Sequence, residues 1–500
     1  MVTRERLAAR RAELAAAPDL QVLVAHLRER AAPLITRLPP IPEAKALLSA
    51  DGGICPDDGA TLLFDPWSPH AHRCPRCGQV REGERHDRAW ARAQHLWLAE
   101  RAAHLATLGA LVDDRDAAAR AAEILRSYAG RYWQYPNRDN VLGPSRLFFS
   151  TYLESIWITN YLAAATLLRE SDRLDDATAK GVGQVAEEAA NLIGEFDEGF
   201  SNRQTWNNAA LTAIAAWFED EELARRAVEG PTGLLEHLLR GFGRDGLWYE
   251  GENYHLFALR ALLAGTEWAE AAGVDIYADP DLASRVARAL LAPALSALPD
   301  FTFPARKDSP FGVSLAQPIH LELWEIGGAA LAPNAADPAR AQLFSWLHAL
   351  YQAPAPLLAT YDAYLHDAPI RPGTRRPPSR TTLSWWSLLF MAPALAPDPA
   401  PWTPGSTLLE SQGLAVLRIG DRYVSLECGP LGGGHGHPDR LHLTLHAGGV
   451  HWLADPGTGS YVSRDLAWFR STLAHNAPRL DGTSQPPGNA VCEACDTASE

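Results

Sequence analysis

The spacing of hydrophobic residues changes once along this chain, near Gly405, and this change constrains the fold more than any other feature. Up to about residue 350, apolar residues recur at i, i+3, i+4 and i+7, which is typical of amphipathic helices. The clearest helical segments are 89–112, 117–132, 150–168, 205–218, 254–272 and 282–298. Short breakers such as Gly230-Pro231 and Pro280 separate them, so we expect antiparallel helical hairpins stacked side by side.

After Gly405 the hydrophobic pattern alternates with a period of two, which indicates short strands. The predicted strands are 415–419, 423–426, 441–445 and 450–453, with glycine-containing turns at 420–421 and 448–449. A proline-rich stretch lies between the two patterns and leaves room for a short helix around 385–389. We therefore predict a helical domain over residues 1–395, a linker over 396–410 and an antiparallel β domain over 411–500. The β domain is short enough that we expect it to be incomplete.

Composition excludes several classes of function. The 500 residues carry a net charge of −15, which argues against a nucleic-acid partner. We find no apolar run of the roughly 18 residues that a membrane span needs, and no membrane partner is expected. The first residues are mixed in charge, with no secretory signal, which predicts a cytoplasmic protein. Only three lysines occur, Lys45, Lys180 and Lys307, and we attach no functional meaning to their rarity.

A cysteine motif stands near the N-terminus. Cys74 and Cys77 form a CxxC motif of the zinc-ribbon type, and Cys55 begins a similar segment whose fourth residue is Asp58 instead of a second cysteine. A metal there would need a further ligand, and the candidates are Asp58, His70 and His72. The alternative is a degenerate knuckle over 55–78 that folds without metal. The sequence leaves both interpretations open.

Three polar segments are candidates for a functional site. Residues 201–209 open an apolar helix and predict either an anion site or a helix cap provided by Asn202 or Thr205. Residues 245–255 form a glycine-punctuated polar loop before another helix. The third segment is the strongest: Gly432 to Arg440 (GGGHGHPDR) is followed by 455–461 and 473–476, and these residue types are poor strand formers.

Histidine and aspartate in this third segment have the donor atoms for a zinc site. The three candidate ligands are His437, Asp455 and His475. Three other histidines lie inside or beside the strand pattern and are interpreted as structural: His442, His446 and His451.

The order of these motifs, with HGHPD, then DPGTGSY, then AHN, resembles the heparinase II/III-like family of polysaccharide lyases and its alginate-lyase relatives. The resemblance runs from about residue 50 to the end of the sequence. It implies an incomplete (α/α) toroid followed by an antiparallel β-sandwich. It also implies cleavage of uronic-acid polysaccharides by β-elimination in the cleft between the two domains, with an anionic uronate-containing chain as the partner.

The resemblance also assigns roles to residues. It implies that Asn202 contacts the uronate carboxylate, that Tyr254 is the base or the acid, and that His435 lies at the reacting sugar. Tyr461 is a weaker match to a second catalytic tyrosine. His437, Asp455 and His475 match the ligands of a structural zinc ion. Arg203 departs from the pattern, because several relatives carry histidine there, so a cation is kept while a proton acceptor is lost.

The expected chemistry needs neutralisation of a carboxylate and a proton-transfer group. We expect nearby cations to lower the pKa of Tyr254 and so make the phenol a usable base. The cations considered for the cleft are Arg203, with Arg440 or Arg470. Candidate substrate-binding side chains beside the motifs are Arg203, Trp206, Trp248 and His255.

Three other functions remain open from the sequence. A uronate epimerase would use the same fold and the same C5 proton. A glycoside hydrolase would need two carboxylates flanking the bond, for which Asp245, Glu250 and Glu252 are the candidates. A non-catalytic glycan-binding protein would leave Tyr254 and His435 without a purpose.

Overall fold

The computed structural model describes residues 3–332, 338–356, 365, 377–395, 399–461 and 465–497. Its helices from the N-terminus to the middle of the chain are α1 (Arg4–Ala16), α2 (Pro18–Thr36), α3 (Glu84–Val112), α4 (Arg115–Arg131), α5 (Thr151–Glu170), α6 (Asp176–Gly194), α7 (Asn202–Phe218) and α8 (Glu221–Glu229). The later helices are α9 (Leu234–Glu236), α10 (Glu252–Ala271), α11 (Pro280–Ser296), α12 (Pro318–Ala330), α13 (Pro338–Gln352), α14 (Trp385–Phe390) and α15 (Leu466–Phe469). The six long helices predicted from hydrophobic spacing are confirmed, as is the short helix near 385.

The helices pack side by side around one core. α3 packs against α4 and α5, α5 packs against α6 and α7, and α7 packs against α8 and α10. Small residues allow the close approach of neighbouring helices. At Gly109 of α3, for instance, an added Cβ would lie 2.7 Å from the Cβ of Ala118 on α4. The helices thus form an incomplete toroid, as predicted.

The β region is an antiparallel meander. Strands β3 (Thr407–Leu409), β4 (Leu414–Ile419), β5 (Arg422–Glu427), β6 (Leu443–Ala447) and β7 (Val450–Leu453) lie in that order in one five-stranded sheet. A separate small hairpin, β1 (His72–Arg73) with β2 (Val80–Arg81), lies near the N-terminus. The predicted antiparallel fold class is confirmed, and the described residues of the C-terminal region contribute one layer of sheet.

The sheet begins earlier than residue 411. Thr407 pairs with Val416, so β3 belongs to the sheet and the predicted linker is shorter at its C-terminal end. Residues 396–398 of that linker lie outside the described residues. The three-residue length of β3 explains the error, because so short a strand shows hardly one full alternation of apolar and polar residues.

One face of the sheet packs on the helical region. Leu414, Val416 and Tyr423 are buried against Ala292 and Leu298, at the end of α11. The contact is also polar, because the Tyr423 hydroxyl donates to the Ser296 carbonyl at 2.9 Å. The helical and β regions are therefore docked together, and the loop between β5 and β6 contacts the N-terminal end of α10.

No helix in the described part of the chain is both long enough and apolar enough to cross a membrane.

Candidate active site

The helical side of the site begins at the first turn of α7. Ser201 caps this helix, since its hydroxyl accepts the N–H of Gln204 at 3.1 Å, so the proposed caps Asn202 and Thr205 were wrong. Asn202 is instead the first helical residue, and its Nδ2 donates to Glu250 Oε2 at 2.8 Å. Trp248 Nε1 donates to the same oxygen at 2.8 Å. The buried Glu250 carboxylate, which also lies 3.5 Å from His435 of the β region, thus fixes the Asn202 amide where the helical and β regions meet. We call this contact zone the junction.

Arg203 follows Asn202 and is partly exposed. It forms an ion pair with Glu198, whose carboxylate is almost completely buried. The Arg203 guanidinium is therefore oriented by a carboxylate from the loop before α7.

Tyr254 lies in the first turn of α10 and meets two residues of the β region. Its hydroxyl lies 2.7 Å from the hydroxyl of Tyr461, and its ring stacks on the ring of His435 with centroids 3.9 Å apart. Burial raises the pKa of Tyr254 well above its usual value, and the neighbouring Tyr461 and the carboxylates of Asp308 and Glu250 raise it further. The expectation that cations lower the pKa of Tyr254 was therefore wrong.

On the β side, His435 lies in the glycine-rich loop between β5 and β6. Its Nδ1 lies 2.8 Å from Asp308 Oδ2, and its Nε2 lies 3.5 Å from Glu250 Oε1. Tyr461 is half exposed and donates to Asp308 Oδ2 at 3.0 Å. Burial, together with the charge of Asp308, raises the pKa of Tyr461 to about 12, so both tyrosines are protonated at neutral pH.

Asp308 was missed by the sequence interpretation, although it is the centre of this arrangement. Its carboxylate contacts His435, lies 2.9 Å from His437 Nε2, and accepts from Arg470 Nε at 3.1 Å. Burial alone would raise the pKa of Asp308, but hydrogen bonds from His435, His437 and Arg470 hold it well below its usual range. Asp308 is thus a buried anion that orients groups from the β region.

The two residues before Asp308 also join the two regions. Arg306 donates to Glu252 at 2.8 Å in α10 and to Glu427 at 2.7 Å in β5. Lys307 has φ of +59° and donates to the Tyr249 carbonyl at 2.8 Å and to Gln412 Oε1 at 3.0 Å. We call residues 306–308 the junction segment. The one unusual feature of this segment in the sequence is Lys307, one of three lysines in the chain, and it did not by itself indicate a function.

Five buried side chains form a cluster beneath the glycine-rich loop. His475 belongs to two groups of potential metal donors that overlap: one adds His437 and Asp439, and the other adds His442 and Asp455. His475 Nε2 lies 3.3 Å from His437 Nδ1, and its Nδ1 lies 3.1 Å from Asp455 Oδ1. The predicted ligands His437, Asp455 and His475 are therefore neighbours. His442, interpreted as structural, lies 3.3 Å from Asp455 and joins them.

This cluster fits a cation. Asp439 Oδ2 is a buried oxygen without a hydrogen-bond partner in the described structure. A buried carboxylate oxygen that lacks a donor is costly unless a cation lies beside it. Nitrogen and carboxylate oxygen are donors that suit zinc.

Several predicted substrate-binding residues are buried and are not accessible to a substrate. Trp248 and His255 are completely buried and Trp206 almost so, so none presents a ring face to a sugar. Trp206 packs on Phe257, and His255 Nδ1 accepts the Trp248 N–H at 3.1 Å, while burial lowers the pKa of His255 to about 3. These three predictions are corrected: the side chains belong to the core that supports the site.

Of the two further cations considered for the cleft, only Arg470 lies there. Arg440 is buried and binds Glu427 and Asp439 inside the β region. Arg470 is partly exposed and pairs with Asp308. Arg203 and Arg470 are each paired with a carboxylate, so the junction is less positive than expected.

Comparison with known proteins matches the two regions separately. The family model "Alginate lyase" matches residues 58–297, and the model "Heparinase II/III-like, C-terminal" matches residues 402–493. An alginate lyase of Stenotrophomonas maltophilia (strain K279a) is 24% identical over 414 residues, covering 77% of this chain and 51% of that protein. The chain thus spans about half the length of the curated relative that it matches.

Two solved structures share the fold. A heparinase III gene product with methylated lysines gives a TM-score of 0.53 at 14% identity, over 83% of this chain and 58% of its own. A mutant of the heparan sulfate lyase HepC from Pedobacter heparinus gives 0.52 at 15% identity, over 97% of this chain and 71% of its own. With the two family matches, these comparisons confirm the resemblance of the motifs: residues 58–297 are similar to alginate lyases, and residues 402–493 are similar to the C-terminal region of heparinase II/III-like proteins.

Proposed function

We propose that this protein is a polysaccharide lyase that cleaves glycosidic bonds to uronic acids by β-elimination. The observation that carries the proposal is the contact of Tyr254 with both His435 and Tyr461, with the Asp308 carboxylate behind them. Tyr254 comes from the helical region, and His435 and Tyr461 come from the β region. All three side chains can transfer a proton. A β-elimination needs a proton acceptor for C5 and a donor for the O4 leaving group, and it consumes no water.

His435 suits the role of base. In its neutral form, an Nδ1–H that donates to Asp308 leaves the lone pair on Nε2, and Asp308 holds the ring in that orientation. Tyr254 suits the role of acid, because its phenol is protonated at neutral pH and its hydroxyl lies at the contact between the two regions, 2.7 Å from the Tyr461 hydroxyl. Tyr461 is hydrogen-bonded to the Tyr254 hydroxyl and positions it to donate its proton to O4.

The carboxylate of the sugar must be neutralised for C5 to lose its proton. The side-chain amide of Asn202 has two N–H donors, and one of them donates to Glu250. Arg203 is the next residue in the sequence. Each donor that stabilises the developing negative charge can lower the barrier by roughly 3–4 kcal/mol. We assign Asn202 and Arg203 to the uronate carboxylate on this ground.

We further propose that the cluster around His475 holds a structural zinc ion. The candidate ligands are His437, Asp439, His442, Asp455 and His475. Bound zinc would supply positive charge to the buried carboxylates and hold the loops of the β region in place. His435 is two residues from His437, so these loops determine where the proposed base lies.

The competing hydrolase function is less well supported. Asp245 accepts from the N–H of Ser411 at 2.8 Å, and Glu252 is buried against Arg306, so both carboxylates have structural partners. Glu250 is bonded to Asn202 and Trp248. A uronate epimerase would use the same base, and only the product distinguishes it from a lyase.

The test is a panel of uronate polymers and oligomers, including alginate and heparan-type chains, incubated with the full chain. The expected result is an increase in ultraviolet absorbance from the unsaturated product with at least one of them, absent with the His435→Asn variant. New reducing ends without this absorbance would indicate hydrolysis, and a changed uronate configuration without cleavage would indicate epimerisation. Either result would contradict the proposal.

A further inference from the structure

A second cluster of metal donors lies in the helical region, away from the junction. The thiols of Cys55, Cys74 and Cys77 and the carboxylate of Asp58 each offer a donor atom, and these atoms lie within 4.8 Å of one another. Cys55 and Cys74 are buried, and all three cysteines are free thiols. We propose that these four residues bind a zinc ion through three thiolates and one carboxylate.

The first argument is that two loops with the same backbone pattern face each other. In the first loop, Gly59 N–H donates to the Cys55 carbonyl at 2.9 Å, and Cys55 N–H donates to the Ala60 carbonyl at 2.8 Å. In the second loop, Gly78 N–H donates to the Cys74 carbonyl at 3.1 Å, and Cys74 N–H donates to the Gln79 carbonyl at 2.8 Å.

The two loops also share their turn geometry. Gly59 and Gly78 have φ of +69° and +74°, a conformation that favours glycine. The hydrogen-bond pattern equates Cys55 with Cys74 and Asp58 with Cys77. Asp58 therefore occupies the position that the second cysteine has in the other loop.

The second argument is the distances between donor atoms. A zinc–sulfur bond of about 2.3 Å in tetrahedral geometry places two sulfur ligands about 3.8 Å apart, and a sulfur and an oxygen ligand about 3.5 Å apart. The sulfurs of Cys55 and Cys77 are 3.8 Å apart. Cys74 Sγ lies 3.5 and 3.3 Å from the two oxygens of Asp58. Each of these distances matches two ligands of one ion.

The third argument is that hydrogen-bond donors point at two of the three sulfurs. The N–H groups of Arg76 and Cys77 both point at Cys74 Sγ, at 3.4 Å each. Arg81 Nη2 lies 3.3 Å from Cys55 Sγ. Thiolate is the form that binds zinc, and three soft sulfur donors favour zinc over magnesium or calcium.

The other two candidates for the fourth ligand are excluded by their positions. His70 Nδ1 lies 2.7 Å from one oxygen of Asp87, and His72 Nε2 lies 2.9 Å from the other. Both rings thus bind the first turn of α3 instead of the cysteines. Asp58 is the carboxylate that completes the set.

The experiment uses the full chain loaded with cobalt(II) in place of zinc. Thiolate ligands give cobalt a charge-transfer absorbance in the near ultraviolet, whereas the histidine and aspartate cluster at the junction does not. We expect this band in the wild type and in His475→Ala, and its loss in Cys77→Ser. Cys492→Ser, which removes a cysteine outside the cluster, is the matched control and should keep the band.

A second variant exchanges one proposed ligand for another instead of removing it. Asp58→Cys should create a four-thiolate site, with a stronger cobalt charge-transfer band and slower loss of zinc to a chelator than the wild type shows. Elemental analysis should find one equivalent of zinc fewer in Cys77→Ser than in Cys492→Ser.

Three results would overturn the proposal. They are a wild-type cobalt spectrum without the thiolate band, an unchanged zinc content in Cys77→Ser, and a disulfide between Cys55 and Cys77 found by thiol titration of the unreduced protein. None of these measurements depends on lyase activity, so the zinc proposal and the proposed function can fail separately.

Discussion

The helical side of the junction presents its functional groups from the first turns of helices, whereas the β side presents them from loops. Asn202 begins α7 and Tyr254 lies in the first turn of α10, and each backbone is fixed by its own helix. His435 ends a single 3₁₀ turn (Gly433–His435) in the loop between β5 and β6, and Tyr461 lies in a turn after β7, so neither belongs to a longer helix or to a strand. The functional residues of the helical side are thus held by the helices to which they belong. Those of the β side depend on contacts with other parts of the chain.

Those contacts come from the junction segment 306–308. Asp308 binds His435 and Tyr461, and Arg306 binds carboxylates of both regions. The loops of the β side are therefore positioned by a stretch of the helical region. Substitutions on the helical side should change chemistry with little change in order, while those in the junction segment should change both.

The largest expected effect tests the helical side. Tyr254→Phe removes only a hydroxyl, so the free energy of unfolding should change by about 0.5–1.5 kcal/mol, the contribution of one hydrogen bond. Turnover should fall by roughly two to four orders of magnitude, because a proton-transfer group is lost. Steady-state kinetics on the substrate found by the screen would measure this.

The matched control is Tyr249→Phe, in the loop that precedes α10. The Tyr249 hydroxyl donates to the Phe200 carbonyl at 3.1 Å and contacts neither His435 nor Tyr461 in the described structure. Its turnover should stay within about tenfold of wild type, the rate equivalent of one hydrogen bond. A Tyr254→Phe protein as active as this control would remove Tyr254 from the mechanism.

The next effect concerns the connection between the two regions. Arg306→Met leaves the buried carboxylates of Glu252 and Glu427 without their shared partner, which should lower the free energy of unfolding by about 3–5 kcal/mol. Urea denaturation would measure it. Arg88→Met, which breaks an exposed pair with Glu84 in α3, should cost no more than about 0.5 kcal/mol. Equal losses in the two variants would show that the junction segment does not hold the regions together.

A smaller effect on turnover separates positioning from chemistry. Asp308→Asn keeps the volume of the side chain but removes the charge that orients His435, His437 and Arg470. We expect kcat to fall roughly 10- to 100-fold with KM nearly unchanged, because the proposed base remains but is less well oriented. A rise in KM with kcat unchanged, or a loss as large as that of Tyr254→Phe, would contradict a positioning role.

The sequence predicted the functional residues of the β side better than it predicted Asp308, the residue that positions them. His435 and His437 stand in one contiguous run of glycine, histidine and aspartate, a pattern visible without a structure. Asp308 lies in the loop between α11 and α12 and meets these residues more than a hundred positions away along the chain, so no local pattern could indicate the contact.

The same limit explains the errors for the aromatic residues. Trp206 and Trp248 were selected because they stand beside motifs in the sequence. Their burial is decided by packing against Phe257 and Phe200, which the local pattern does not reveal. The fold class, by contrast, follows from hydrophobic spacing, which is a property of each segment alone.

The smallest expected effect is a dependence on pH that belongs to the junction segment. Burial, together with the charge of Arg306, lowers the pKa of Lys307 from 10.5 to about 7. The unfolded chain therefore binds a proton at Lys307 between about pH 7 and pH 10.5 that the folded protein does not bind, so this residue makes stability rise with pH across that window. Below pH 7 both states are protonated, and the cost of burying the charge is fully present.

Lys307→Met removes this titration. The free energy of unfolding of the wild type, minus that of Lys307→Met, should increase by about 1–2 kcal/mol between pH 6.5 and pH 8.5, measured by urea denaturation at several pH values. The same difference for Lys180→Met, a substitution at an exposed position of α6, should stay flat over this range. A flat difference for Lys307 would mean that its ammonium stays charged in the folded state. Its bonds to the Tyr249 carbonyl and Gln412 would then be bonds of a cation, and the junction segment would join the two regions through two buried positive charges.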